Sequence, residues 1–249
     1  MYVMLTLYVY VCICIYSATA QSVDQCQVFK YLGFHIDCDL SWSTHVHKLI
    51  HKVQKMLYIL HRCTGKSNKA KLPVLFRAYI YPHFLYGIQL YMFCSTSLRA
   101  RLEALFRRCC RLALRDTGQI PLLSNLSIYY LLGVLPLRLL FQHTSATMLF
   151  NILILKQVPA LMSLFSPIPS TSRNARLVPE NVIVLRLPSV SLENSRCNFA
   201  YWGAKLWNSI PVAIRRSESL PMFTNSYHQY LSACICDVTC DRYDLLNFL

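Results

Sequence analysis

Between Thr44 and Arg62 the apolar side chains Val46, Leu49, Ile50, Val53, Leu57 and Leu60 recur three and four positions apart. That spacing lines up one face of an α-helix and no face of a strand. Lys48, Lys52, Lys55 and Arg62 fall on the opposite side. The pattern returns from Ser97, which suits an N-cap, to Arg115: Leu98, Leu102, Leu105, Cys109 and Leu112 form a stripe, while Arg101, Arg108 and Arg115 recur at heptad spacing away from it. Seven residues make nearly two helical turns, so these guanidinium groups project in one direction about 10 Å apart. Arg99, Arg107 and Arg111 widen the patch. Two such helices must pack their stripes together, which makes the expected class mainly α.

The rest of the chain fits a helical bundle with a short β element before it and a loop-rich region toward its end. Val28 to Ile36 reads as a short strand or hairpin, with Gly33 permitting a bend, and Asp37 to Ser43 as a turn. A polar loop at Thr64 to Asn68 leads into a helix predicted from about Ala70 to Cys94, kinked or broken at Pro82. Residues 122–160 read as two helices separated near Gly133 and Pro136. Arg138, Gln142, His143, Ser145 and Asn151 interrupt the second, which marks it as a buried core helix rather than a membrane span. Pro159 to Ser195 reads as a connection with a short strand at Val182 to Leu187, followed by terminal helices at Asn198 to Trp207 and Leu220 to Ala233. The organisation expected is therefore an apolar leader at 1–20, a hairpin segment at 21–43, a basic helical unit at 44–158, a connector at 159–195 and a C-terminal helical segment at 196–249.

Composition narrows the functions. Hydrophobic residues are 55% and charged ones 14% of 249 residues, which excludes intrinsic disorder. No Gly-rich phosphate loop is present among the 6 glycines. The formal charge of +14 is concentrated: residues 40–179 hold eighteen Lys and Arg against two acids, Glu103 and Asp116. A block of that sign attracts polyanions, either nucleic acid or an anionic membrane surface, although a solvated helix face alone also reads this way. Met1 to Tyr16 is an uncharged apolar run followed by Ala18-Thr19-Ala20, the arrangement of a signal peptide cut after Ala20, or of an accidental leader. It is shorter than the roughly 20 residues that span a bilayer.

Metal chemistry has little to draw on. Cys234, Cys236 and Cys240, with His228 before them, form half a zinc knuckle without the second pair of ligands. His47 and His51 stand one helical turn apart, with His45 nearby, but lack a carboxylate partner. Cys63, Cys94, Cys109 and Cys110 read as buried free thiols.

Several strings, in order, carry a resemblance. Tyr31-Leu32-Gly33-Phe34-His35-Ile36-Asp37, then Leu40-Ser41-Trp42 and His45, resemble the segment just after the palm in reverse transcriptases of non-LTR (LINE-like, jockey-type) retrotransposons. Leu75 to Tyr79 and Pro82-His83-Phe84-Leu85-Tyr86-Gly87 are similar to that family's thumb helix, and Leu98 to Arg111 to its following basic helix. Trp207-Asn208-Ser209-Ile210-Pro211 resembles its C-terminal Trp-Asn-x-Leu-Pro signature, with Ile210 in place of the usual Leu. The resemblance implies a thumb-like helical fold that grips the RNA or DNA backbone. It further implies a chain truncated before the palm. Polymerisation in this family needs palm aspartates that hold two Mg²⁺, whereas no Asp-Asp pair occurs in this sequence, Asp37 and Asp39 are the only close carboxylates in the family-like part before the C-terminus, and Asp37 belongs to the post-palm string. The expectation is a chain that is not an enzyme as it stands and uses no cofactor of its own, Mg²⁺ being required only by the missing palm. Alternatives are a secreted or membrane-anchored protein exapted from a retroelement, held through residues 1–16, and a translated pseudogene fragment without a selected role. Location follows the same division, nuclear or cytoplasmic for a retroelement product and secretory for a cleaved leader.

Overall fold

In the computed structural model, which describes residues 27–63, 71–91, 94–114, 125–168, 182–189 and 199–236, the hairpin forms first. β1 (Val28–Tyr31) and β2 (Phe34–Asp37) pair antiparallel with Tyr31 opposite Phe34. The two linking residues, Leu32 and Gly33, both have positive φ (46° and 86°), as a twist-matched two-residue turn requires. Phe34 and Ile36 are buried, and β2 packs on α1 (Ser43–Cys63). Asp37 starts that helix from a distance: its Oδ2 accepts from the Thr44 N–H (3.1 Å) and the Ser41 hydroxyl (3.2 Å). One of the orphan donors of the first turn is thereby satisfied.

α1 buries Val46, Leu49, Ile50, Val53 and Leu57 and half-buries Leu60, the face its periodicity predicts. The segment expected as a helix kinked or broken at Pro82 is instead a series of short pieces. α2 (Leu72–Leu75) runs into a π-helical turn (Phe76–Ile80), then α3 (Tyr81–Leu85) and α4 (Ile88–Tyr91). Pro82 sits in the first turn of α3, where its missing N–H costs little, and the wider turn before it absorbs the ring. The break falls later, at Tyr86 (ψ 106°) and Gly87 (φ 76°). There the Tyr91 hydroxyl donates to the carbonyls of Tyr86 and His83 that the helix end leaves over.

α5 (Thr96–Ala113) is capped by Ser95, not Ser97: the Ser95 Oγ accepts from the Leu98 N–H at 3.4 Å. Its buried face includes Leu98, Leu102, Leu105 and Cys109, and also Phe106, Cys110 and Ala113, while Leu112 is only half-buried. The helix is thus rotated toward Phe106, whose ring meets those of Phe76, Phe84 and Tyr129. α6 (Asn125–Leu132) packs on α5. α7 (Leu137–Leu153), begun at Pro136, is buried almost all round, Ser145, Thr147 and Asn151 included. It is covered by α4, α8 (Pro159–Met162), α9 (Phe199–Ser209) and α11 (Leu220–Cys236). A short α10 (Val212–Arg215) precedes α11. Buried residues from Phe34 to Leu231 form one continuous cluster.

Val182 to Leu187 is not a strand. It makes a single antiparallel bridge, Leu185 to Pro167, with the Ile168 N–H on Val184 O and the Arg186 N–H on Ser166 O, both 2.8 Å. The other edge of Leu185 is occupied by a side chain. Asn208 accepts the Leu185 N–H (3.0 Å) and donates to its carbonyl (2.8 Å), filling the place a neighbouring strand would take. The fold is mainly helical, with an N-terminal two-stranded hairpin and loop-rich stretches toward the C-terminus.

Candidate nucleic-acid interface

The apolar stripes of α1 and α5 face each other, so their polar sides are turned outward. On α1, Lys48, Lys52, Lys55 and Arg62 are all exposed. Arg62 is partly engaged: its Nη1 donates to the Tyr58 hydroxyl (2.7 Å) and its guanidinium lies 5.6 Å from that ring centre. On α5, Arg101, Arg108 and Arg111 are exposed, whereas Arg99 and Arg107 sit half-buried on the flanks. Arg115 lies outside the described residues. Glu103 is the one acid in the sequence between residues 40 and 115. It does not neutralise the outer face, because its Oε1 accepts from Arg138 Nε of α7 at 2.8 Å.

The fold also sets two imidazoles beside lysines. Desolvation first, and then Lys48 and Lys30, hold the His35 imidazole below its usual range. Desolvation and Lys52 do the same for His83. The hairpin, α1 and α3 therefore bring Lys30, Lys48 and Lys52 toward the two imidazoles. Lys30 stands directly opposite His35 in the hairpin register, whereas Lys48 and Lys52 act on the imidazoles from α1, a separate element.

The motif residues gather as structural joints. Tyr86 donates its hydroxyl to Leu32 O, and its ring stacks on Phe34 at 4.5 Å and 17°. Tyr86 and the hairpin turn at Leu32-Gly33 are thus tied across the fold, with Tyr31 exposed beside them. Trp42 is buried with φ 59°, and Gly87 supplies the left-handed break after α3. Trp207 is wholly buried and its Nε1 donates to Ile183 O at 3.0 Å, a carbonyl that Arg215 also reaches at 3.1 Å. Pro211 stands at the N-cap of α10. Asp39 takes the Ser41 N–H (3.0 Å), which lowers its pKa.

His47 and His51 are exposed on α1, while His45 is enclosed by Phe34, His35 and Tyr91. Among the described residues no three His, Cys, Asp or Glu side chains gather as metal ligands do. Cys240, the side chains of Cys63 and Cys236, the loop at 64–68 and the leader at 1–20 with its Ala20 site fall outside what is described. Cys94, Cys109 and Cys110 are buried, and burial pushes the Cys109 thiol up to about 12 and raises the other two. No described helix is long and apolar enough to cross a membrane. Comparison with protein-family models, with curated proteins and with solved structures finds no match.

Proposed function

We propose that this chain binds the phosphate backbone of RNA or DNA through the outer faces of α1 and α5, as a thumb-like unit similar to that of non-LTR retrotransposon reverse transcriptases, without polymerase chemistry of its own. The observation that carries this reading is the pair of outward cationic faces, Lys48, Lys52 and Lys55 on one helix and Arg101, Arg108 and Arg111 on the other. Their single acidic neighbour on α5 is turned away to Arg138. Arrayed Lys and Arg need no base contacts to hold a nucleic-acid duplex, since neutralised phosphates release their counterions whatever the sequence.

The test is binding of a primer–template duplex as a function of salt. Affinity should fall steeply with added salt, by a log–log slope of about 0.9 per phosphate contacted. Replacing Lys48, Lys52 and Lys55 with Ala should flatten that slope by roughly 2 to 3, and replacing Arg101 and Arg108 by roughly 2. Absence of binding at low salt, or a slope indifferent to both sets of substitutions, refutes the proposal.

A further inference from the structure

A cavity of about 560 Å³ opens between α3 on one side and α7 and α11 on the other. Its volume lies within the roughly 300–1,000 Å³ range of small-molecule sites. Tyr81, Leu85 and Tyr86 form one wall, and His143, Thr144, Thr147, Thr224 and His228 the other. In a chain of net charge +14, the residues lining this space include no Lys, Arg, Asp or Glu.

The polar atoms of the second wall are mostly committed. Thr144 donates its hydroxyl to Leu140 O (2.9 Å), Thr147 to His143 O (2.8 Å) and Thr224 to Leu220 O (2.9 Å). These threonines therefore have no free proton to give a ligand. His143 Nε2 lies 3.1 Å from Thr224 O, which can only accept, so Nε2 carries the proton and Nδ1 the lone pair. The His228 ring stands edge-on at 5.5 Å. Burial and His228 hold His143 below its usual range, with the Thr224 bond opposing, so the His143 ring is neutral at neutral pH. Gln89 adds a half-buried amide.

We infer that this cavity is a binding site for a neutral, aromatic small molecule carrying one hydrogen-bonding group, which seats its rings against Tyr81 and Tyr86 and its polar group at the His143–His228 end. A charged ligand would lose its hydration without gaining a counter-charge, whereas an aromatic one gains apolar burial and ring contact. The site is separate from the outward cations of α1 and α5 and does not rest on nucleic-acid binding.

The full chain is titrated with N-phenyl-1-naphthylamine, a neutral aromatic amine whose emission rises in apolar surroundings. Saturable one-to-one enhancement is expected, weakened about tenfold or more by Thr144→Phe, which fills the space with a ring. Tyr130→Ala, on the exposed side of α6, should leave it unchanged. In the unsubstituted chain the ring resonances of His143 and His228 should shift saturably on the same isotherm, a readout that stands even where Thr144→Phe unfolds. No saturable enhancement, histidine resonances unmoved at saturation, or a helical Thr144→Phe variant that binds as the unsubstituted chain does, each overturns the site.

Discussion

Replacing Asn208 with Ala removes both hydrogen bonds that hold the outer edge of Leu185 (3.0 and 2.8 Å). Leu185 is 1% exposed, so water cannot take over its N–H and carbonyl. Each buried group left without a partner costs about 1–3 kcal/mol. The carbonyl, with two lone pairs, tolerates the loss better, and neighbouring Ile183 keeps its bonds from Trp207 and Arg215. The expected loss is therefore about 2–4 kcal/mol, or a fall in Tm on the order of 10 °C for a chain of this length. Urea unfolding followed at 222 nm and by tryptophan emission measures it. Asn208→Asp separates the two bonds. One carboxylate oxygen can still accept from the Leu185 N–H, but the other faces a carbonyl and can pair with it only when protonated. The folded pKa of that Asp is then raised above its unfolded value of about 3.9. The stability it contributes is present below that value and lost as pH rises through the folded pKa. Measured against the unsubstituted chain at each pH, Asn208→Asp should be nearest to it around pH 4 and furthest at neutral pH. A loss under about 0.5 kcal/mol for Asn208→Ala, or an Asp variant insensitive to pH, would refute the strand-mimic reading.

His45 is 7% exposed and neither ring nitrogen has a partner. Burial first, then His35 and Lys48, push its pKa down to about 4, with Asp37 opposing. Its folded value is depressed, so the unfolded chain takes the proton more readily and stability falls as pH drops from about 6.5 to about 4, by roughly 3 kcal/mol in all. His45→Phe keeps the ring between Phe34 and Tyr91 and should flatten the stability–pH curve over that window; an unchanged curve counts against this assignment. Iodoacetamide at pH 8 should label the exposed Cys38 in the folded chain and reach Cys94, Cys109 and Cys110 only on unfolding. Site-resolved mass spectrometry checks this, and rapid native labelling of Cys109 contradicts its burial.

The helices were legible wherever one apolar stripe met one polar face. α1 follows its six apolar positions closely, with Met56 half-buried beside them and Tyr58 and Ile59 left exposed. α5 was harder: Leu105 is followed by Phe106 and Cys109 by Cys110, so two overlapping stripes were available and the aromatic cluster around Phe106 decided the rotation. Ser95 and Ser97 are both chemically able to cap, and only the reach of Oγ to Leu98 N selects the first. Pro82 signals a break, but the π-helical turn ahead of it resolves the conflict within the local backbone, a solution no periodicity encodes. Val182 to Leu187 has strand-forming residues and no strand to pair with. Its partner is a single amide 23 positions away, which alternation cannot predict. Among the site residues, the cations of α1 and the exposed arginines of α5 were legible as the complement of the stripes. The approach of Lys48 to His35 and of Lys52 to His83 depends on tertiary packing.

The motif residues and the cationic faces are under different physical constraints, and this bears on what each can argue. Tyr86 on Leu32, Trp207 on Ile183 and Asn208 on Leu185 are long-range ties that a fold of this shape needs whether or not it meets a polyanion. These ties therefore bear on architecture, and the proposed backbone binding has to stand on the cations. Lys48, Lys52, Lys55, Arg101 and Arg108 are exposed, and removing such charges from an exposed helix face changes stability by no more than about 0.5 kcal/mol. The two sets of variants should thus come apart in the laboratory. Asn208→Ala would lower stability while leaving the salt slope of the still-folded fraction intact, because it removes no phosphate contact. The lysine and arginine variants would flatten the slope at nearly constant stability. A single substitution that did both would mean that the grip on nucleic acid and the joints of the fold share residues.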